Sequence, residues 1–276
     1  MKQKLILFSI TIITIFLSYY VINIFLCYYA PPTYRPPYLI NNNNDSICNI
    51  VYIGDSWAYM HKDHTCTIPQ IIESECDCSI NIYSYGINGI TSKIIYENLF
   101  TNEDLKQFLI SKAPKFCFIS AGINDCNKKM GSDIYKESMD YIIQFFLYNN
   151  ITPIILEIPN YSISKSYKGQ SFIQKNLRKI SMRVTGTPMH CKQIFRNALD
   201  ELVREKGYQN KVCIIRYKSW NNDYLNDLKQ LYLDDGLHLN EQGYAKLDSV
   251  IAKEIIKTYR PTTTPNISVI SSTTRR

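Results

Sequence analysis

No dense run of lysine and arginine, no collagen-like glycine period and no internal repeat occurs in this 276-residue chain. Its 31 basic and 24 acidic residues are spread along the sequence, which excludes the basic footprint of a nucleic-acid partner. What the chain holds instead is apolar. A content of 45% hydrophobic and 13% aromatic residues supplies a sizeable core, so a wholly disordered chain is excluded as well.

Charge is missing altogether from Leu5 to Tyr29. At about 1.5 Å per residue a helix of this stretch measures roughly 37 Å, enough to cross a hydrocarbon core. A cleavable secretory signal has a shorter apolar region closed by small residues. Here Ser18-Tyr19-Tyr20-Val21 runs on into Ile22 to Cys27, which favours an uncleaved membrane anchor over residues 1–30. Cys27 stands where a lipoprotein cysteine would, but Leu26 is larger than the residue such a signal places before it. Lys2, Lys4 and the amino terminus precede the span, and only Arg35 follows closely. Positive charge therefore sets the N-terminus in the cytoplasm and the rest outside, on a periplasmic or extracellular face.

Eight of the nine cysteines lie beyond that span, where disulfides are permitted. Cys48, Cys117 and Cys213 fall in apolar runs and read as buried thiols. Cys66, Cys76, Cys78, Cys126 and Cys191 read as loop or helix-end residues and are the better disulfide candidates, with no pairing legible.

Residues 31–46, rich in proline and asparagine, read as a linker, and residues 261–276 as a disordered Thr/Ser-rich tail. One domain, 47–260, lies between them. Short apolar runs alternate there with helical stretches, the pattern of βαβ units and a mostly parallel sheet. Five strands are expected at Ile47–Ile53, Ile80–Tyr85, Phe116–Ser120, Ile154–Ile158 and Val212–Arg216. Helices are expected at Thr91–Leu109, Ser132–Tyr148, Gln170–Lys206 (broken near Pro188) and Glu241–Tyr259. Polar loops follow the strands, and in open parallel sheets ligands bind outside the carboxyl ends.

Ser56 comes directly after the first strand in Ile53-Gly54-Asp55-Ser56-Trp57, so a strand-to-helix turn exposes its hydroxyl near backbone amides. The alternative is a helix cap. The Gly-x-Ser-x-Gly elbow is absent. Further on, Leu233-Asp234-Asp235-Gly236-Leu237-His238 offers a base and a carboxylate three residues earlier that can hold its other ring nitrogen. Acyl transfer also needs donors for the oxyanion, and Gly86 and Asn124, each after a strand, can supply them.

Gly54-Asp55-Ser56, Gly86, Gly122-x-Asn124-Asp125 and Asp235-x-x-His238, in this order, resemble the four blocks of the SGNH (GDSL-type) hydrolases across about residues 48 to 258. The resemblance implies a flavodoxin-like α/β/α sandwich. It also implies Ser56 as nucleophile, His238 as base, Asp235 as its orienter, and an oxyanion hole of the Ser56 amide, the Gly86 amide and the Asn124 side chain. Trp57 stands where lipase-like members commonly have leucine.

The expected function is a serine esterase that removes small acyl groups, O-acetyl in particular, from a cell-envelope or extracellular glycan, without a cofactor or metal. Three alternatives stand beside it: a glycan O-acetyltransferase using the same site, a lipase or lysophospholipase, and a non-catalytic glycan-binding protein of the same fold. His61-Lys62-Asp63-His64-Thr65-Cys66 places potential metal ligands together but identifies no complete set. His190 beside Cys191 is a rival base with no neighbouring acid.

Overall fold

The computed structural model describes residues 2–28, 36–41, 48–76, 79–128, 130–162, 165, 172 and 191–259. Six strands, β1 (Tyr38–Asn41), β2 (Cys48–Gly54), β3 (Ile80–Gly86), β4 (Phe116–Ser120), β5 (Thr152–Leu156) and β6 (Cys213–Ile215), form one sheet in the order β1-β3-β2-β4-β5-β6. Strands β2 to β6 are parallel, and β1 adds antiparallel to β3, pairing Tyr38 with Ser84. The sheet thus has one strand more than the five expected, and that strand comes from the stretch read as linker. Tyr38-Leu39-Ile40 favours extended backbone, and Pro37 just before an edge strand removes no ladder bond. The Tyr38 hydroxyl oxygen lies 2.8 Å from the carbonyl oxygens of Ala58 and Tyr59, which fastens the strand to the helix after β2.

Both faces of the sheet are covered, since β4 is buried at every residue and β2 and β3 nearly so. Helices α3 (Ile68–Cys76) and α10 (Glu241–Tyr259) pack on each other, and so do α4 (Ser92–Thr101), α7 (Ser132–Tyr148) and α8 (Lys192–Glu205). In α10 the buried residues Tyr244, Leu247, Ile251 and Ile255 recur at helical spacing along one face. Within the sheet Tyr52 of β2 meets its cross-strand partner Phe118 of β4 edge-to-face, ring centroids 4.4 Å apart, a geometry that contributes about 0.5–1.5 kcal/mol beyond area burial.

Where one helix was expected at Thr91–Leu109, there are two, α4 and α5 (Glu103–Lys112). Asn102 between them is extended, and its side chain accepts the Leu105 N–H at 2.8 Å, so a polar residue competes with the helix backbone and restarts it. The acids Glu103 and Asp104 then sit in the first turn of α5, and Lys112 in the last, as the helix dipole favours. Short helices α2 (Ser56–Met60), α6 (Ile123–Lys128) and α9 (Tyr224–Gln230) complete the order. The tail, Cys78, His190 and most of the stretch from Gln170 to His190 lie outside the described residues.

At the other end of the chain α1 spans Lys2–Tyr28, and its Lys2–Ile22 part is long and apolar enough to cross a membrane. Membrane anchors and signal sequences both have that form.

Candidate active site

Three strands end level with one another. Gly54 pairs with Gly86 on one side and with Ser120 on the other. A methyl group at Gly54 would lie 2.3 Å from the Ser120 carbonyl oxygen, and one at Gly86 would lie 2.1 Å from the Tyr59 nitrogen. Both positions therefore require glycine, and the turn that leaves β2 is pressed between its neighbours. The Asp55 amide donates to the Ser120 carbonyl at 3.1 Å, prolonging the ladder by one residue. The Asp55 side chain caps α2, accepting the Trp57 N–H and the Ser120 hydroxyl, each at 3.0 Å, on Oδ1. Burial pushes this carboxyl up to about 6, against the lowering effect of those two donors. Ser56 follows as the first residue of α2, with its side chain partly accessible.

The segment from Leu231 to Asn240 folds back on itself through a bridge between Tyr232 and Leu239 and a turn at Gly236, whose φ of +65° suits glycine. Two outside donors fix it: the Ser162 N–H to the Gly236 carbonyl at 2.8 Å, and the Trp57 indole N–H to the Leu237 carbonyl at 3.1 Å. Within it Asp235 Oδ1 accepts the backbone N–H groups of Leu237 and His238 at 2.9 and 3.0 Å. Oδ2 lies 2.6 Å from His238 Nδ1, and His238 Nε2 lies 3.0 Å from Ser56 Oγ. Partial burial raises the Asp235 carboxyl, but the two N–H donors and the imidazole outweigh it and hold it below its ordinary value. An ionised Asp235 keeps the proton on Nδ1, which leaves the Nε2 lone pair facing the serine hydroxyl. Ser56, Asp235 and His238 are thus brought into one hydrogen-bonded chain.

Asn124 stands in the first turn of α6, four residues beyond the end of β4. Its Nδ2 is buried and bonded to nothing in the protein. A buried donor left unpaired costs about 1–3 kcal/mol, a cost that an acceptor arriving with a substrate would remove. The neighbouring Asp125 accepts the Ser92 N–H at 3.0 Å and the Ser92 hydroxyl, so α6 is fastened to the start of α4. Gly86 lies at the same edge, beside Gly54.

No protein-family model matches the chain, and no curated sequence does either. Solved structures do match it. The lipase/acylhydrolase from Enterococcus faecalis aligns with a TM-score of 0.54 at 16% identity, over 76% of this chain and 95% of its own. The psychrotrophic esterase EstA from Pseudoalteromonas sp. gives 0.53 at 13%, over 76% and 98%. An acetyl-xylooligosaccharide esterase from Geobacillus stearmophilus, crystallised as a point mutant, gives 0.51 at 15%, over 76% and 94%. The fold is that of the GDSL-type acylhydrolases. In this acylhydrolase fold the predicted residues Ser56, Gly86, Asn124, Asp235 and His238 all stand at the carboxyl edge of the sheet.

Reading the sequence missed the work of Trp57. The indole is fully buried against Trp220 and Tyr232, centroids 5.9 and 6.2 Å away, and its N–H reaches the residue next to His238. Only its apolar character could be foreseen, because the acceptor lies 180 positions away. His61, Cys66 and Asp248 offer three metal-ligating atoms within 4.8 Å of one another. Asp248 ties the group together: its Oδ1 is 2.7 Å from His61 Nε2 and its Oδ2 accepts the Thr67 N–H at 2.7 Å, while His61 Nδ1 is left without a partner. Burial, followed by the Asp248 charge, pushes the Cys66 thiol well up, so it is held protonated. An apolar groove of about 710 Å³, lined in part by Phe100, Leu109, Phe145 and Ile151, lies elsewhere, where the chain enters β4 and β5.

Proposed function

We propose that this chain is a membrane-anchored serine esterase that removes small acyl groups, O-acetyl above all, from a glycan outside the cytoplasm. The observation that carries the proposal is the unbroken chain Asp235, His238, Ser56, with contacts of 2.6 and 3.0 Å. His238 takes the Ser56 proton, and the hydroxyl oxygen attacks the ester carbonyl. The oxyanion then gains the Asn124 amide, with the Ser56 and Gly86 backbone amides as the other donors. His238 returns the proton to the leaving alcohol, and water releases the acyl group by the same steps in reverse.

A short acyl group is supported by the described residues, whose apolar groove is at the amino edge of the sheet, away from Ser56. The glycan is supported by the acetyl-xylooligosaccharide esterase among the structural neighbours and by an N-terminal helix able to hold the domain at a membrane. The test is to assay the full chain in detergent on nitrophenyl esters of increasing chain length and on acetylated oligosaccharides, with Ser56→Ala alongside. Acetyl release by the wild type alone, with labelling of Ser56 by an alkyl phosphonate, is expected. Equal turnover by Ser56→Ala would reject the mechanism, and a preference for long acyl chains would make the protein a lipase. Acetyl transfer to an added sugar in place of hydrolysis would make it an acetyltransferase.

A further inference from the structure

Cys126 and Cys191 approach each other at a joint that esterase chemistry does not use. Cys126 lies in α6, two residues beyond Asn124, and Cys191 immediately precedes α8. Cys191 Sγ is 3.6 Å from the carbonyl oxygen of Cys126, so the Cys191 sulfur sits directly against the Cys126 residue. Both residues are buried, 3% and 4% exposed. Other described cysteines direct their sulfur elsewhere: Cys48 to the Asn49 carbonyl, Cys117 to the Phe118 carbonyl, Cys213 to the Glu254 carboxylate. We infer that Cys126 and Cys191 become a disulfide when the chain folds in contact with a disulfide oxidant.

The neighbouring Cys191 thiol, and then burial, hold the Cys126 thiol well above its ordinary range. Since the thiolate is the nucleophile, the folded pair reacts slowly, and the bond forms while the chain is still folding. One cysteine thiolate attacks a sulfur of glutathione disulfide and expels a glutathione thiolate. The other then attacks the mixed disulfide at the first cysteine's sulfur and expels the second. Two cysteine thiols are oxidised, one glutathione disulfide is reduced, and the two cysteine protons end on the two glutathione thiols. The link joins residues 65 positions apart and ties the entry of α8 to the helix that carries Asn124. Pairing itself rests on this contact. Its occurrence in the cell rests also on the outward orientation of the domain proposed above.

The experiment takes the full chain in detergent in two forms, one refolded in a glutathione redox buffer and one extracted from host membranes. Both are alkylated after denaturation without reductant, digested and read by mass spectrometry. The expected result in both is a Cys126 peptide joined to a Cys191 peptide, separated by reductant. The unfolding midpoint should also fall by roughly 5–15 °C on reduction. Cys126→Ser, Cys191→Ser and the double variant should show that same lowered midpoint and no response to reductant. Alkylation of both cysteines in the refolded chain, or a link from either one to another cysteine, overturns the pairing, and neither outcome depends on a variant that folds. A link in the refolded chain but not in the extracted one overturns the outward orientation and leaves the pairing intact.

Discussion

Two histidine–aspartate pairs flank α2, nearly identical in their contact and opposite in what surrounds them. His238 and Asp235 are 2.6 Å apart, and His61 and Asp248 2.7 Å. The first pair is 25% and 36% exposed in its side chains, the second not at all. The other nitrogen of His238 faces the Ser56 hydroxyl, whereas His61 Nδ1 is buried and has no partner. An imidazole on a carboxylate moves protons only if a reactive hydroxyl and an approach for substrate complete it. Buried and closed, the same contact is a clamp, here between the turn after α2 and α10.

The comparison is broken most severely at the proton path. Ser56→Ala or His238→Ala is expected to lower kcat by about 10⁴-fold or more in an ester hydrolysis assay, with little change in the urea midpoint. The mirror experiment is His61→Ala. Leaving Asp248 buried without its partner should cost about 3–5 kcal/mol in urea unfolding while the folded fraction keeps its kcat. If His61→Ala abolished turnover without loss of stability, the two roles would have to be exchanged. Asn124→Ala should lower kcat by roughly 10²–10³-fold at unchanged KM, the effect of removing one oxyanion donor. The variant should be no less stable, because its amide donor has no partner to lose.

The smallest effect concerns a third aspartate, Asp55, which caps α2. Its folded value of about 6 exceeds the ordinary 3.8, so the folded state holds the proton more tightly. Its contribution is therefore fully present below pH 4 and declines as the pH rises towards 6. Asp55→Asn keeps the cap and removes that decline. Unfolding curves should coincide near pH 4 and show the variant about 1–3 kcal/mol more stable at pH 8. A variant less stable at both pH values would mean that the carboxylate charge itself supports the turn.

Local features of the site were legible because their signals are short. Gly54-Asp55-Ser56 after an apolar run and Asp235-x-x-His238 before a helix state their geometry within a few residues. The parallel core was legible from the same alternation of runs. Partner choice over distance was not: His61 offers no hint of an aspartate 187 positions later, nor Trp57 of the Leu237 carbonyl. The strand Tyr38–Asn41 was hidden by the prolines around it, and the break at Asn102 by the helical periodicity on either side.

On the membrane-anchored reading proposed above, strand β1 also sets how far the site can lie from the bilayer. Residues 29–37 are all that join α1 to a strand bonded into the sheet. Nine residues pulled straight reach about 30 Å, less than the breadth of the domain they hold. With α1 seated in a bilayer, the crevice is leashed to a shell a few nanometres deep. On that reading, glycans held at the membrane surface come within range, and those farther out must travel to the site.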